Sequence, residues 1–351
     1  MSHSILVYAP SWIGDAVMSL GALRSLRRAH PGSRLTVLAK PWVEDLYTGC
    51  ESVDAILSYD PRKERGLTGF LRTARRLRES RFDLAVLFPN AFRAAAIVWA
   101  AGIPERWGYA HDGRGVLLTK AAPPAHRPFG RHQAYYYLDL LRHLDIETGE
   151  PDTRLNLTRS MRESASTLLR AHGATPGQAL VGVHPGATNS SAKRWIPKRY
   201  AEVADQLAAS HDARILILGG AGEEAIAEEI GTHLSAAPIS LAGKTSLAEL
   251  MGLLGELSIL ISNDSGPMHL ASALGVPTVA VFGPTDERET GPLGRASRVV
   301  RRQVECSPCL LKECPIDHRC MERVTVEEVY RASLDLLEGK SSRQRAEATL
   351  R

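Results

Sequence analysis

The sequence has no long hydrophobic run. Its longest uncharged apolar stretch, Ala94 to Pro104, falls far short of the ~20 residues that cross a bilayer, so no transmembrane helix is expected. The apolar opening Ile5–Ala9 is one strand long and leads to Asp15, which does not fit a secretory signal. A cytoplasmic protein is expected, or one attached to a membrane only from the cytoplasmic side. A large excess of one charge is also missing. Lys and Arg number 43 against 39 Asp and Glu, too even a balance for a dedicated nucleic-acid binder, so no nucleic-acid partner is expected. Cysteines number only five, and in a reducing compartment they are not expected to form disulfides. Short-period repeats are missing, and low complexity is confined to the Ser/Arg/Glu-rich tail after Gly339. What is present is a chain of 351 residues, 44% hydrophobic and 23% charged. That composition suits a globular protein, and at roughly 100–200 residues per domain the length suits two domains.

Short apolar, β-branched runs alternate with helical patterns. Ile5–Ala9, Leu35–Ala39, Val53–Leu57 and Leu84–Phe88 read as strands. Gly14–His30 reads as a helix with Val17, Leu20, Leu23 and Leu26 on one face, and Leu67–Glu79 as a basic amphipathic helix. The pattern restarts at Leu180–His184 and continues through strands Arg214–Leu218, Ile239–Leu241, Ile259–Ser262 and Thr278–Phe282. Helices fall between them near Lys198–Ser210 and Glu223–Leu234. Strands that are apolar on both faces, alternating with helices, indicate parallel sheets covered on both sides. The expected fold is α/β, with two facing Rossmann-like doubly wound parallel-sheet domains at residues 1–165 and 166–338. A polar, mobile tail is expected at 339–351. Sheets of this kind bind ligands beyond the carboxyl ends of their strands, so the strand-to-helix turns are the candidate site segments.

Four of those turns are chemically unusual. Pro10–Asp15 places a carboxylate, Asp15, in a first helical turn. The helix macrodipole alone accounts for an acid there, but a carboxylate fixed on a rigid element is also placed to act as a general base. His184–Trp195 leaves the first strand of the second series. Its small residues let a backbone wrap a phosphate, and Lys193 with Arg194 supplies charge. A solvated Lys-Arg pair is the plainer alternative, and the residue order is not that of a Walker loop. Gly219–Glu224 superficially resembles a dinucleotide fingerprint but lacks the third glycine, Ala225 standing in its place. Glu223 there suits either a ribose hydroxyl pair or an acidic helix start. Ser262–Ala273 is the most informative: a buried strand runs into a helix whose start carries Asp264, Ser265 and Gly266. Free N–H groups at such a start form an anion site, although Asp264 or Ser265 could equally be only the N-cap. His269 lies one turn in, near enough to approach the same ligand.

Two further features stand apart. Cys306, Cys309, Cys314 and Cys320 form a C-x2-C-x4-C-x5-C cluster with His318 inside it. Thiolates this dense could hold zinc or an iron–sulfur group, but the spacing matches no common ligand pattern well; reduced structural thiols are the alternative, and no metal ligands are assigned. Between Tyr59 and Arg81 lie Arg62, Lys63, Arg65, Arg72, Arg75, Arg76, Arg78 and Arg81 against Asp60, Glu64 and Glu79. These form either a solvated face with intrahelical ion pairs or a surface for an anionic partner such as phospholipid or an acidic glycan.

With the Asp15 turn, the Lys193 loop and the Asn263–His269 helix start together, the chain resembles the ADP-heptose:lipopolysaccharide heptosyltransferases of glycosyltransferase family 9. The resemblance covers residues 4 to about 338 and is most specific in Ser262-Asn263-Asp264-Ser265-Gly266-Pro267-Met268-His269-Leu270-Ala271. The segment from Cys306 to Pro315 is similar to the branch of the family that adds the second heptose. The resemblance implies the GT-B architecture, with the acceptor mainly on the N-terminal domain and the donor nucleotide mainly on the C-terminal one. It also implies a C-terminal helix near Thr325–Leu337 that packs back across the structure. The family's catalytic base falls on Asp15 and its pyrophosphate-binding lysine, counted with the catalytic groups, on Lys193. Donor-binding positions fall on Asp264, Ser265, Gly266 and His269, with Thr188 beside the diphosphate and Glu223 at the ribose. Ser265 stands where related enzymes carry Thr, and either supplies a hydroxyl. The implied activity is inverting transfer of L-glycero-D-manno-heptose from ADP-heptose to the first heptose of the lipid-A inner core, without a cofactor or metal. The implied partners are ADP-heptose, the anionic lipopolysaccharide precursor and, transiently, the cytoplasmic face of the inner membrane. Two other readings stay open on the residues alone: a nucleotide-sugar epimerase of similar fold, and a non-catalytic, metal-held binding protein.

Overall fold

A computed structural model describes residues 4–125, 130–188 and 190–349, with side chains through Gly339. In the first half, strands β1 (Ser4–Tyr8), β2 (Arg34–Ala39), β3 (Ala55–Ser58), β4 (Leu84–Leu87), β5 (Glu105–Tyr109) and β6 (Lys120–Ala122) form one parallel sheet in the order β3-β2-β1-β4-β5-β6. The helices here are α1 (Ile13–Met18), α2 (Leu20–Ala29), α3 (Asp45–Thr48), α4 (Gly66–Glu79), α5 (Phe92–Ala100) and α6 (Ala134–His143). In the second half, β7 (Leu180–His184), β8 (Arg214–Ile217), β9 (Ile239–Ser240), β10 (Ile259–Asn263), β11 (Thr278–Phe282) and β12 (Ser297–Arg301) are ordered β12-β11-β10-β7-β8-β9. Counted from its own first strand, this is the same parallel order. Its helices are α7 (Arg159–Ala171), α8 (Pro197–His211), α9 (Glu224–His233), α10 (Leu247–Gly255), α11 (Gly266–Ala273), α12 (Glu287–Thr290), α13 (Arg319–Glu322) and α14 (Val326–Thr349). Each half is therefore a Rossmann-like doubly wound domain.

The central strands β4, β7, β10 and β11 are buried at every position. Covered on both faces, they need apolar residues throughout rather than alternation, and this made them conspicuous in the sequence. β5, β6 and β12 were not expected as strands. Their sequences, ERWGY, KAA and SRVVR, are mixed and half exposed because β6 and β12 are sheet edges and β5 lies next to one. The single helix expected over Gly14–His30 is broken at Ser19. This fully buried hydroxyl donates to the Ala16 carbonyl at 2.8 Å, competing with helical backbone bonding.

The two compact units are Met1–Leu155 and Asn156–Arg351. The division falls there rather than between 165 and 166 because α7 packs on α10 of the second unit. Gly252 makes that approach possible, since a Cβ there would stand 2.3 Å from the Met161 carbonyl oxygen. α14 packs on α8, β11 and β12 of its own unit, contributing Val329 and Leu336 to the core. Its backbone is helical through Thr349. Residues 340–349 contain no proline or glycine and are rich in Lys, Arg, Gln, Ala and Glu, which favour the helix.

In both units the strand order reverses between the first and fourth strands, β1 and β4 or β7 and β10. That reversal is the switch point at which doubly wound sheets bind ligands.

Candidate active site

At the switch point of the second unit, two of the singled-out turns, His184–Trp195 and Ser262–Ala273, meet around one buried amide. Asn263, fully buried at the end of β10, donates through Nδ2 to the Pro185 carbonyl at 2.6 Å. Its Oδ1 accepts from the Trp195 amide at 3.1 Å and from the Tyr200 hydroxyl. One side chain thus ties the turn after β7, the turn carrying Lys193 and the start of α8 to β10. Buried polar groups must be paired, so the network is satisfied only in this arrangement.

Asp264 follows, 6% exposed, and its Oδ2 accepts from Lys193 Nζ at 2.7 Å and from the Thr290 hydroxyl at 3.4 Å. Lys193 is therefore not part of a solvated Lys-Arg pair; it is held at the carboxyl end of β10. Ser265, not Asp264, is the N-cap of α11. Its Oγ accepts from the Met268 amide and shares a hydrogen bond with Ser262 Oγ at 3.0 Å. Pro267 has no N–H, so among the described residues the donors this turn can offer an anion are the amides of Ser265 and Gly266. His269 is buried one turn further on.

Glu223 is the N-cap of α9, and its side chain folds back so that Oε2 accepts from the Gly220 amide at 2.7 Å. Gly222, at φ 88°, supplies the left-handed backbone this turn needs. The glycines therefore shape a carboxylate cradle and not a dinucleotide fingerprint. The carboxylate lies against Gly186, where a Cβ would fall 2.0 Å from Glu223 Oε1. His184 Nε2 stands 3.6 Å from Glu223 Oε2, and its Nδ1 is 3.4 Å from Ser265 Oγ. Burial pushes the imidazole pKa down, outweighing the pull of Glu223 in the other direction. Thr188 is exposed on the same turn, and the adjoining Asn189 lies outside the described residues.

In the first unit, Asp15 occupies the first turn of α1, just past the end of β1. The Tyr137 hydroxyl donates to Asp15 Oδ1 at 3.2 Å. Tyr137 comes from α6 and packs edge-on against Phe88 at the end of β4, ring centroids 5.3 Å apart. Sequence reasoning missed this partner; its only signal was the Tyr135-Tyr136-Tyr137 run. It also missed Arg114, which is fully buried where β4 and β5 end. The guanidinium donates to the Tyr109 carbonyl at 2.7 Å, to Asn90 Oδ1 at 3.2 Å and to the Pro89 carbonyl. Burial pushes its pKa down to about 10, which leaves it charged.

All five cysteines are free thiols. Burial, and next the thiols of Cys306, Cys309 and Cys314, push the Cys320 pKa up. Among the described residues, no group of three or more His, Cys, Asp or Glu side chains is placed to hold a metal ion, and no helix is long and apolar enough to cross a membrane.

Two Rossmann-like domains of identical strand order match the GT-B architecture. The comparisons sharpen the class. The sequence profile of glycosyltransferase family 9 (heptosyltransferase) matches residues 70–319. Lipopolysaccharide heptosyltransferase 2 of Escherichia coli K12 is 31% identical over 316 residues, covering 85% of this chain and 87% of that protein. The Salmonella typhimurium lipopolysaccharide heptosyltransferase 2 is 32% identical over 309 residues, covering 85% and 87%. The solved E. coli ADP-heptose lipopolysaccharide heptosyltransferase II superimposes with a TM-score of 0.82 at 27% identity, covering 97% of this chain and all of that one. A Veillonella parvula family 9 glycosyltransferase shares the fold, with a TM-score of 0.86 at 23% identity, covering 97% of this chain and 98% of that one. The chain belongs to glycosyltransferase family 9. Membership in that family makes it a transferase and favours transfer over the epimerase and binding-protein readings.

Proposed function

We propose that the protein is an inverting heptosyltransferase that moves L-glycero-D-manno-heptose from ADP-heptose onto the first heptose of the lipopolysaccharide inner core. The Lys193–Asp264 pair beside the start of α11 carries this reading, in a chain 31% identical to a lipopolysaccharide heptosyltransferase 2. The acceptor hydroxyl attacks the anomeric carbon, the bond from that carbon to the diphosphate oxygen breaks, and the hydroxyl proton passes to Asp15. A single displacement inverts the anomeric centre. The departing ADP gains negative charge, which Lys193 and the Ser265 and Gly266 amides stabilise. Thr188 adds a hydroxyl beside the diphosphate, Glu223 takes the ribose hydroxyls, and Asp264 and His269 complete the donor site. No cofactor is assigned, because ADP-heptose is itself the donor substrate.

The direct test is a panel of nucleotide-sugars incubated with a heptose-bearing core acceptor. ADP release and a heptosylated product are expected with ADP-heptose. Transfer from a different nucleotide-sugar, or isomerisation of the donor without an acceptor, would refute the assignment. The ribose role of Glu223 has its own test. Gly186→Ala puts a methyl group where that carboxylate sits. Displacing one charge-assisted contact should weaken ADP binding roughly tenfold or more, read by calorimetry, while acceptor KM stays within about twofold.

The acceptor precursor is anionic and membrane-borne, and transient contact with the cytoplasmic face of the inner membrane would deliver it. α4 supports this contact: Leu67 and Leu71 are 72% and 54% exposed, next to exposed Arg65, Arg72 and Arg75. Apolar side chains among arginines suit an interfacial surface. Changing Arg65, Arg72 and Arg75 to Gln should weaken binding to anionic vesicles roughly 100-fold, at about 1 kcal/mol for each arginine lost, with ADP affinity unchanged. Equal vesicle binding would return α4 to an ordinary solvated face.

A further inference from the structure

The turn that carries Lys193 is a 3-10 segment of three residues, Ser191–Lys193. A segment so short does not hold its own shape. What fixes it is the cysteine-rich stretch that follows β12. The Ala192 amide donates to the Lys312 carbonyl at 3.1 Å, and Ser190 Oγ donates to the same oxygen at 3.3 Å. From the other side, His318 Nε2 stands 2.7 Å from the Ala192 carbonyl oxygen. Both backbone groups of Ala192, itself 2% exposed, are thus held by one neighbouring segment.

That segment is anchored in turn. The Leu310 amide donates to the Pro284 carbonyl at 2.8 Å, and Ser307 Oγ donates to the Gly283 carbonyl. Cys320 packs so closely on Gly283 that a Cβ there would stand 2.9 Å from its Sγ. Met321 is fully buried in the core. His318 also has a left-handed backbone, φ 55°, at the start of α13. For a residue with a Cβ this conformation is costly, and it persists only where surrounding structure imposes it. Here it aims the imidazole at Ala192.

We propose that the stretch Cys306–Cys320 is the platform of the donor-site lysine and that His318 is a positioning residue for it. With its proton on Nε2, the imidazole donates to the Ala192 carbonyl. It thereby sets the path of the turn from which Lys193 reaches Asp264 and the leaving diphosphate. Of the four thiols, Cys320 is buried and packs on Gly283. The proposal rests on the diphosphate role given to Lys193 above.

His318→Asn tests it without stressing the fold, because Asn tolerates the left-handed backbone but is too short to reach Ala192 as the imidazole does. Its ADP-heptose KM should rise about five- to tenfold, the size of one lost hydrogen bond, with acceptor KM and Tm unchanged. His318→Gln restores an N–H near the Nε2 position and should return donor KM to within about twofold of the parent. In a Lys193→Ala background, His318→Asn should add no further loss of ADP affinity. A donor KM unaltered by His318→Asn, or equal rises in donor and acceptor KM with no rescue by Gln, would overturn the positioning role. Lys193→Ala measured alone separates the two claims: if it leaves ADP affinity unaltered, the diphosphate reading fails, whatever His318 does.

Discussion

Asp15→Asn should lower kcat roughly 10²- to 10⁴-fold, the usual contribution of a positioned general base, while ADP affinity stays at the parent value. The amide keeps the size of the carboxylate and can still accept from Tyr137, so the local packing survives. What it loses is the capacity to take the acceptor proton as the new glycosidic bond forms. ADP affinity should be indifferent because every donor contact assigned here lies in Asn156–Arg351, whereas Asp15 belongs to Met1–Leu155. Tyr137→Phe should produce a smaller fall, since it removes one hydrogen bond to the base and leaves the base in place. Single-turnover measurement of ADP release at saturating acceptor reads the chemical step directly. Ordinary turnover in the Asn variant would remove Asp15 from the chemistry.

Lys193→Ala should cost roughly 10²- to 10³-fold in kcat, by analogy with loss of one group that stabilises developing negative charge, and should raise donor KM as well. The effect has two parts. The cation that meets the diphosphate is gone, and Asp264, 6% exposed, is left with the Thr290 hydroxyl but no counter-charge. A buried carboxylate stripped of its counter-charge is destabilising in itself and repels an incoming diphosphate. The double variant Lys193→Ala with Asp264→Asn should therefore bind ADP more tightly than Lys193→Ala alone. Calorimetry on the two variants checks this, and weaker binding by the double variant would show that Asp264 assists the donor independently of the lysine.

The parts of the site legible in the sequence were those encoded within a single strand-to-helix turn. Asp15, Lys193 and Asp264–Gly266 were each recognisable because a buried strand, a small-residue turn and a polar side chain follow one another within a dozen positions. Tyr137, Asn263 as a tie and His318 were not, because their partners are remote. Tyr137 meets Asp15 across 122 positions, His318 meets Ala192 across 126 and Asn263 meets Trp195 across 68. No local pattern announces such a pairing. The choice between a solvated Lys193 and a held one was likewise closed to the sequence, since Asp264 lies 71 positions away.

The alternation of buried parallel strands with helices in two series was legible from the residues alone, because hydrophobic periodicity is a property of consecutive residues and strands buried on both faces leave no ambiguity about their surroundings. Which turns carry charge and hydroxyls was equally legible. Three features emerge only on folding: the division at Leu155, the resting of the Glu223 carboxylate on Gly186, and the pairing of one lysine with one aspartate beside a helix start. The physical reason is that crossover connections bring β7 and β10 side by side. Side chains on adjacent strands are neighbours through sheet register and packing, neither of which short-range periodicity records.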